Sequence, residues 1–567
     1  MRLNRGATSI LLTTARLSAF AASLTFAALA VAQGPPVSPE GPGIERDIQY
    51  VFVGVGIVST LLAWWRPLQG GWLLVVTGVA LGIAAAGRYT EQTALLVALL
   101  FVAPGVLFLL AGTSGHRLAL RLTYAAAVCL VMAYGGFEAQ SRHDQAFGPA
   151  HPQSELRQAP YGDVEWVWSG GVTSTGATVT ARLIEGAHEA RLLLRPDESL
   201  SAPVSSPVVG ADGDGIVRLR VDSLQADTLY HYAVEVDGTV DSLRRGTLRT
   251  FPEGAATFSI VVGACVRTGS NGAVFDALRA EDALLYLITG DANYENITNG
   301  NMDRFQDAYQ TMLTSPAQAA LYRETPVAYT WDDHDFGGSN STASSPSREA
   351  ARLSYRQNVP HYPLAAGDGN SAIYQAFSAG RVRFVLLDTR SMRNEEQLAD
   401  GSRSLLGARQ REWLKQELVS ASRTHALVVL VSSVPWIAAE SASGDDWGGY
   451  ATERREIADF IADQGITNLM LLAGDAHMLG IDDGTNSDYS SDRGGAGFPV
   501  MHAAALDRPG SEKGGPYSEG AFPGAGQYGL VTFLDDGERM TVELRGRNWL
   551  GEDIVTYSFA IAAGSLP

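Results

Sequence analysis

The chain has 567 residues, more than one hydrophobic core usually organises, so we expect two or three structural units. Its formal net charge of −19 disfavours nonspecific binding to nucleic acid or to anionic lipid, because both would repel an acidic surface. Residues 1–150 are mostly apolar and carry nine arginines against six acidic residues, so the acidic excess lies in the rest of the chain. We therefore expect no nucleic-acid partner, while the composition leaves the oligomeric state open.

Residues 1–32 have the pattern of a secretory signal peptide. A positive start, MRLNRG, precedes an apolar stretch and the small-residue site AVA, which ends at Ala32. We expect cleavage at this site, although an uncleaved anchor would leave the rest of the chain in the same orientation.

Four apolar stretches predict a transmembrane region over residues 48–136. They cover 48–65, 71–87, 93–112 and 118–136, and each is about long enough to cross the core of a bilayer. Buried helices of a soluble domain are the less favoured interpretation. Arginines in the first and third connecting loops place those loops in the cytoplasm. We therefore expect a multi-pass protein of the cell membrane, with everything after about residue 140 on the extracytoplasmic (periplasmic or extracellular) side.

Two segments are expected between the membrane region and the main domain. Residues 137–160 are polar and contain proline, which predicts a linker. Residues 161–252 contain short alternating runs such as ATVTARLI and LYHYAVEV, separated by turn-rich segments. This spacing predicts a small antiparallel β-sandwich of the fibronectin or immunoglobulin type.

Residues 253–567 predict a layered α/β domain. Buried apolar runs such as FSIVVGA and NLMLLAG alternate with amphipathic stretches such as TERREIADFIADQG. The expected fold class is therefore multi-domain, with transmembrane helices, a small β-sandwich and an α/β domain in chain order.

Reactive side chains follow several of the predicted strands of this domain. In α/β sheets, ligands bind beyond the carboxyl ends of the strands. The residues at these ends are Cys265, Asp291, Tyr294, Asp332, Asp333, His334, Arg390, Asp475 and His477. Several carboxylates at one edge raise one another's pKa values, so bound cations are the simplest compensation. The mixture of oxygen, nitrogen and sulfur donors favours a centre with transition metals over an all-oxygen magnesium site.

A two-metal centre at these strand ends predicts phosphoester hydrolysis. Two ions about 3.5–4 Å apart generate a hydroxide and bind both the attacking and the leaving oxygen. We expect metal-bound hydroxide to attack phosphorus, while TWDDHDF supplies one metal ligand and a neighbouring imidazole for the leaving group. At this point either Asp332 or Asp333 could be that ligand.

Seven motifs occur in the order found in the PhoD-type alkaline phosphatases and phosphodiesterases, which belong to the calcineurin-like metallophosphoesterases. They are GACVRTG, GDANY, TWDDHDF, LDTRS, LLGARQREWL, DDWGGYATER and GDAHMLG. The chain resembles this family over about residues 164–550, with the sandwich included. It departs from the family pattern at Ala264, Val266, Ala292, Asn293 and Asp335, which indicates a divergent substrate pocket. The apolar N-terminal region lies outside the pattern.

The resemblance implies a role for each of these residues. The implied metal ligands are Cys265, Asp291, Tyr294, Asp333, Asp475 and His477. Asp291 would bridge two ions, and Asp333 takes the position of the asparagine ligand of the wider superfamily. His334 would then be the acid and Arg390 the contact to phosphate. The ions implied by the resemblance are Fe³⁺ and Ca²⁺.

We therefore expect a membrane-tethered, extracytoplasmic, metal-dependent phosphoesterase of the alkaline phosphatase or phosphodiesterase type. Its partners would be a phosphoester substrate and the membrane that holds the N-terminal helices. One alternative is a phosphodiesterase specialised for phospholipids or envelope polymers. A second alternative, of a different class, is a catalytically inert membrane sensor or assembly protein that retains the fold.

Overall fold

The computed structural model forms two compact units, Met1–Pro149 and Ala150–Pro567. The residues that the structure describes are 5–32, 44–86, 91–113, 118–149, 162–196, 203–394, 403–441, 444–503 and 505–562.

The described part of the first unit consists of apolar helices. They are α1 (Arg5–Ala32), α2 (Ile44–Trp65), α3 (Pro67–Ala86), α4 (Glu91–Gly112) and α5 (Leu118–Phe147). Three segments within them are long and apolar enough to cross a membrane, namely Pro67–Ala86, Ala94–Gly112 and Leu122–Phe147. These helices agree with the four apolar stretches expected from the sequence, and α1 is additional to them.

Helix α1 packs against α2 and α4 within this unit. Ala15 and Ala19 have no exposed surface. The Ser23 hydroxyl lies 3.1 Å from the hydroxyl of Thr60 in α2, and Arg16 donates a hydrogen bond to the Trp64 carbonyl. One face of the segment predicted as a signal peptide is therefore buried among the other helices.

Helix α5 continues to Phe147, through the first part of the segment predicted as a linker. Residues 137–147 are polar but contain no proline or glycine, so nothing in them interrupts a helix. The helix ends at Gly148, whose φ is 77° and whose N–H donates to the Asp144 carbonyl, and Pro149 follows. The linker prediction is wrong for residues 137–147, and residues 150–160 lie outside the described part of the chain.

The described part of the second unit is built from three β-sheets and the helices that cover them. Its strands are β1 (Val164–Gly170), β2 (Gly176–Leu183), β3 (Glu189–Arg195), β4 (Val204–Ser205), β5 (Val209–Gly210), β6 (Ile216–Asp222), β7 (Leu229–Val236), β8 (Thr239–Val240), β9 (Gly246–Arg249), β10 (Phe258–Gly263), β11 (Leu285–Ile288), β12 (Val327–Tyr329), β13 (Gln375–Ala379), β14 (Val382–Leu386), β15 (Leu427–Ser432), β16 (Leu469–Ala473), β17 (Met478–Asp482), β18 (Val500–Ala503), β19 (Ala521–Pro523), β20 (Gln527–Asp535), β21 (Arg539–Asn548) and β22 (Asp553–Ala562). Its helices are α6 (Ala273–Ala280), α7 (Met302–Thr314), α8 (Pro316–Glu324), α9 (Asp333–Phe336), α10 (Arg348–Asn358), α11 (Gly407–Thr424) and α12 (Ala451–Asp463), with a 3₁₀ turn at Trp447–Tyr450.

The two large sheets each have a parallel centre. The nine-stranded sheet has the order β22-β21-β20-β10-β11-β12-β1-β2-β6, and β10, β11 and β12 run parallel. The seven-stranded sheet has the order β13-β14-β15-β16-β18-β17-β19, and β14, β15, β16 and β18 run parallel. The carboxyl ends of the parallel strands therefore meet at one edge of each sheet.

Alternate residues of these strands enter different hydrophobic cores. Ile260 and Val262 of β10 share a core with Val429 of β15, so the two large sheets pack face to face. Val261 packs instead with residues of α6, α7 and α8, and Val428 packs with residues of α11 and α12. This period of two is that of strands buried on both faces, and it confirms the layered α/β domain.

The separate β-sandwich expected at residues 161–252 is not confirmed. β1, β2 and β6 extend the nine-stranded sheet, in which Gly170 of β1 pairs with Val327 of β12. The remaining strands of the segment form a third sheet, β4-β3-β7-β8, with β5 on β3 and β9 on β7. Val179 and Val234 of this segment share a core with the large sheets. The alternation predicted these strands, but backbone pairing at a sheet edge leaves no mark in the sequence.

Candidate metal centre

Three of the expected ligands directly follow strands and have a left-handed backbone. Cys265 (φ 59°) follows β10, Asp291 (φ 52°) follows β11 and Asp475 (φ 65°) follows β16. Non-glycine residues in this conformation are uncommon and persist where the surrounding structure fixes them. The same strained turn at three neighbouring strand ends is typical of a functional site.

The glycines before Asp291 and Asp475 allow a close approach of the two sheets. A Cβ on Gly290 would lie 2.7 Å from the Cβ of Asp332, and a Cβ on Gly474 would lie 2.3 Å from the carbonyl oxygen of Thr289. A larger residue at 474 would force apart the ends of β11 and β16, which belong to different sheets. Gly290 approaches Asp332 after the neighbouring strand β12, and its Cβ would also lie 3.3 Å from the Cβ of Ser433, which follows β15 of the other sheet. The two Gly-Asp pairs therefore bring the two strand edges together.

Four donor atoms of different chemistry lie beside one another at this edge. The Cys265 thiol is 3.7 Å from Asp291 Oδ2, and the Tyr294 hydroxyl is 3.0 Å from His477 Nε2. His477 Nδ1 donates to the Pro509 carbonyl at 2.8 Å, so Nε2 carries the lone pair of the ring. A thiol, a phenol, a carboxylate and an imidazole form a donor set that fits a highly charged transition metal ion.

Asp291 also belongs to a second cluster. One ligand atom each of Asp291, Asp333 and His334 lies within 4.8 Å of the others. Asp291 Oδ1 accepts the His334 backbone N–H at 3.2 Å, while Oδ2 is the oxygen near Cys265. One oxygen of Asp291 therefore faces Cys265 and the other faces the Asp333–His334 segment, an arrangement compatible with a bridging carboxylate.

The ionisation of these groups favours bound cations. Burial and the carboxylates of Asp333 and Asp332 raise the pKa of Asp291 well above its usual range. Burial also raises the pKa of Asp475 to about 7, although the ammonium of Lys513 lies 2.6 Å from its Oδ1. Burial and the nearby carboxylates raise the pKa of the Cys265 thiol. Ionising all three groups is costly without added positive charge, so the residues present fit metal ions.

The structure separates the positions of Asp332 and Asp333. Asp332 accepts hydrogen bonds from Arg390 Nε and Nη2 at 2.6 and 3.0 Å, and from the Ser433 hydroxyl at 2.7 Å. Asp333 lies instead in the second cluster, and its Oδ2 accepts the Asn340 N–H at 2.5 Å. The carboxylate of Asp332 is thus fully engaged, and Asp333 is the better placed metal ligand.

Arg390 has a position that does not fit the expected contact to phosphate. Its side chain has no exposed surface, and it pairs with Asp445 at 2.8 and 2.9 Å as well as with Asp332. Arg393 also contacts Asp445, so two arginines and two aspartates form one network, in which Arg390, Arg393 and Asp332 are buried and Asp445 is partly exposed. Because each nitrogen of the Arg390 guanidinium already has an acceptor, its geometry is that of a support for Asp332 and Asp445.

This network predicts a pH-dependent contribution to stability. Burial alone would raise the pKa of Asp445, but Arg390 and Arg393 lower it to about 2. A carboxylate with a depressed folded pKa stabilises the fold above its unfolded pKa of about 3.9, and this stabilisation is lost as the pH falls towards 2. In urea denaturation between pH 4 and pH 2, we expect the wild type to lose about 2 kcal/mol more than Asp445→Asn. Parallel pH profiles for the two proteins would contradict this expectation.

His334 is held as a neutral ring with an open Nε2. Its ring stacks on Tyr294 at 3.9 Å between centroids, and its Nδ1 lies 2.5 Å from Asn296 Oδ1. The Asn296 amide nitrogen donates to the Tyr294 carbonyl, which identifies Oδ1 as an acceptor and places the histidine proton on Nδ1. Burial lowers the pKa of His334, although Asp333 opposes this, and nearby cations including Arg508 lower it further. At neutral pH, Nε2 can therefore receive a proton or bind a cation.

Two cations beside the centre were not identified from the sequence. The Arg508 guanidinium lies 4.0 Å from the centroid of the Tyr294 ring, and Lys513 pairs with Asp475. Both lie on the loop between β18 and β19, outside all seven motifs. A signal was available, because they are the only lysine or arginine residues between Arg493 and Arg539.

Comparison with protein families identifies the domain that contains this centre. Residues 272–505 match the model of the PhoD-like phosphatase family. The chain carries a PhoD-like phosphatase domain. The match confirms the resemblance and the expected enzyme class, a hydrolase of phosphoric esters. It includes the strand ends from Asp291 to His477, whereas Cys265 and Arg508 lie outside it.

The solved structure of PhoD has the same fold as this domain. The structure of PhoD is 18% identical in sequence, with a TM-score of 0.57, and the similarity covers 71% of this chain and 91% of PhoD. Purple acid phosphatase PPD1 from yellow lupin (Lupinus luteus) seeds is 14% identical, with a TM-score of 0.48, over 70% of this chain and 73% of that protein. No curated protein sequence matches the chain.

The N-terminal helices match a different family. Residues 4–121 match DUF7670, a domain of unknown function. The matched segment includes α1 together with α2, α3 and α4, so the family contains the segment predicted here as a signal peptide.

Proposed function

We propose that this protein is a membrane-tethered, extracytoplasmic phosphoesterase that works with a two-metal centre. The observation that carries the proposal is the position of Asp291, whose two oxygens serve two adjacent clusters of donor atoms within a PhoD-like phosphatase domain. The other proposed ligands come from separate strand ends of both sheets, which is where α/β domains place their sites.

The two clusters suit different ions. Cys265, Tyr294 and His477 offer thiolate, phenolate and imidazole donors beside Asp291, which suits an iron-type ion. Asp333, in the second cluster, offers a carboxylate oxygen, which suits a harder ion such as calcium, and Asp475 is proposed as a further carboxylate ligand. When bound, such ions polarise a phosphoester and lower the pKa of a coordinated water.

His334 is proposed to assist departure of the alcohol, through Nε2. Because its pKa is lowered, the protonated ring is the minor form at neutral pH, and its contribution should grow as the pH falls. We expect His334→Ala to lower kcat/KM by about 10²-fold for phenyl phosphate, whose phenolate is a poor leaving group. The loss should be much smaller for nitrophenyl phosphate, whose leaving group needs less assistance. Steady-state kinetics with both esters, at acidic and alkaline pH, would test this. Equal losses for the two esters would contradict a role in leaving-group departure.

The proposed activity is tested on the full-length protein in detergent. Hydrolysis of nitrophenyl phosphate and of bis-nitrophenyl phosphate is measured at neutral and alkaline pH, with and without a chelator. Chelator-sensitive turnover supports the proposal, and the preferred ester distinguishes a phosphatase from a phosphodiesterase. Absence of turnover from folded, metal-loaded protein would instead favour an inert sensor or assembly protein.

We further propose that α1 is retained as a membrane helix. The burial of Ala15 and Ala19, the Ser23–Thr60 contact and the family match from residue 4 all support retention over cleavage at Ala32. Retention leaves the extracytoplasmic location of the main domain unchanged, since an uncleaved anchor gives the same orientation. A protein tagged at both ends should carry both tags on one species of full-length mass. Loss of the N-terminal tag from the mature protein would contradict retention.

A further inference from the structure

We propose that Arg508 binds the phosphoryl oxygens of the substrate. Arg390 is not available for this contact, because its guanidinium is already paired with Asp332 and Asp445. Arg508 lies on the loop between β18 and β19, beside Tyr294. The inference rests on the proposed phosphoesterase function, and it names the residue of this chain that would recognise the reacting group.

Arg508 differs from the other cations around the centre in its pairing. Arg390 is enclosed by two carboxylates, Arg267 pairs with Asp507 at 3.8 Å, and Lys513 pairs with Asp475 at 2.6 Å. Within the described residues, Arg508 makes no ion pair and donates no hydrogen bond, and its Nε is buried without an acceptor. A buried, unsatisfied guanidinium donor is costly, and an anionic ligand would satisfy it.

The backbone of the loop is fixed on both sides of Arg508. The Leu506 N–H donates to the carbonyl of Ala264, next to Cys265, and the Pro509 carbonyl accepts from His477 Nδ1. The Ser511 N–H donates to the carbonyl of His477. The loop is thus hydrogen-bonded to the segments that carry two of the proposed metal ligands. These bonds fix the position of the Arg508 backbone relative to the centre. Such preorganisation is what stabilisation of a developing charge requires.

Tyr294 connects Arg508 to both clusters. The Arg508 guanidinium lies 4.0 Å from the centroid of the Tyr294 ring, which also stacks on His334 at 3.9 Å. The hydroxyl of the same tyrosine contacts His477 Nε2. The guanidinium therefore contacts a side chain that itself touches a member of each cluster, His477 and His334. Its planar set of donors matches two phosphoryl oxygens, which a lysine ammonium would contact as a point charge.

The test compares Arg508→Gln and Arg508→Lys with the wild type, in the full-length protein loaded with metal. Arg409→Gln, on the exposed face of α11, removes the same charge away from the site and serves as the matched control. Three quantities are measured for each protein: kcat and KM with nitrophenyl phosphate, the Kd of inorganic phosphate by calorimetry, and the metal content.

We expect Arg508→Gln to lower kcat/KM by about 10²-fold and to weaken phosphate binding by about 10-fold, at unchanged metal content. Arg508→Lys should recover part of the phosphate affinity, and Arg409→Gln should behave as the wild type. Wild-type kcat/KM and phosphate affinity in Arg508→Gln would overturn the proposal, as would loss of metal, which would mean that Arg508 only supports Tyr294. If the wild type hydrolyses neither ester, the proposed function fails, and the phosphate affinity of the variants alone decides the role of Arg508.

Discussion

Replacement of Asp291 by asparagine is expected to lower kcat/KM for phosphoester hydrolysis on the order of 10³-fold or more. Asparagine has nearly the same shape as aspartate, but it lacks the charge that both donor clusters share. In the metal-free protein the same change should raise the melting temperature, because it removes a buried carboxylate whose pKa is raised by burial and by Asp333. A simple structural defect would lower both activity and stability, so the opposite signs identify a metal ligand.

The matched control for this change is Asp303→Asn, at an exposed position in the first turn of α7. It removes one negative charge away from the centre and should change neither kcat/KM nor the melting temperature appreciably. Steady-state kinetics and thermal unfolding, with and without a chelator, provide both readouts. Wild-type kcat/KM in Asp291→Asn would remove Asp291 from the centre.

Replacement of Arg390 by methionine is expected to lower the free energy of unfolding by about 3–5 kcal/mol. Arg390 is the counterion of the buried Asp332 and of the partly buried Asp445, and its removal leaves Asp332 without charge compensation and Asp445 with Arg393 alone. The double variant Arg390→Met with Asp332→Asn should recover part of this loss, because it also removes one of the unpaired charges. Urea denaturation of the three proteins at neutral pH measures the effect.

The result for Arg390→Met also distinguishes the role of Arg390 from that of Arg508. If Arg390→Met unfolds as readily as the wild type but binds inorganic phosphate much more weakly, Arg390 is the phosphate contact that the family resemblance implied. A large loss of stability, with the phosphate effect confined to Arg508 variants, would assign support to Arg390 and recognition to Arg508.

The placement of the candidate ligands could be predicted from the sequence because it depends on strand ends. Buried apolar runs locate the strands, and a parallel sheet brings their carboxyl ends to one edge. This reasoning groups Cys265 with Asp291, whereas the approach of Asp475 depends on the packing of two separate sheets, which only the structure shows. The left-handed backbone of Cys265, Asp291 and Asp475 is visible only in the structure. In the sequence a glycine precedes Asp291 and Asp475 but not Cys265, so no common local pattern marks the three positions.

The role of Arg390 could not be predicted because pairing depends on three-dimensional contacts. The motif LDTRS places an arginine after a strand, but the sequence does not reveal that Asp332 and Asp445 enclose it. Arg508 was missed for the complementary reason, since it lies in a glycine-rich loop without a motif. In both cases the number of carboxylates around a guanidinium decides its role, and that number is a property of the fold.

The predicted boundaries of the linker and of the sandwich were also incorrect because they depend on three-dimensional contacts. The polar segment 137–147 is compatible with both a linker and a helix, and contacts within the first unit extend α5 through it. The strands of the expected sandwich were found, but their continuation into the nine-stranded sheet depends on pairing between β1 and β12, which composition does not encode.

The most direct test of the two-metal centre is the metal content of the purified full-length protein, measured by plasma mass spectrometry beside Asp291→Asn. The proposed arrangement predicts two ions per wild-type chain and a loss of bound metal in the variant, because Asp291 serves both clusters. A folded wild-type protein without stoichiometric metal, or a variant that keeps both ions, would contradict it.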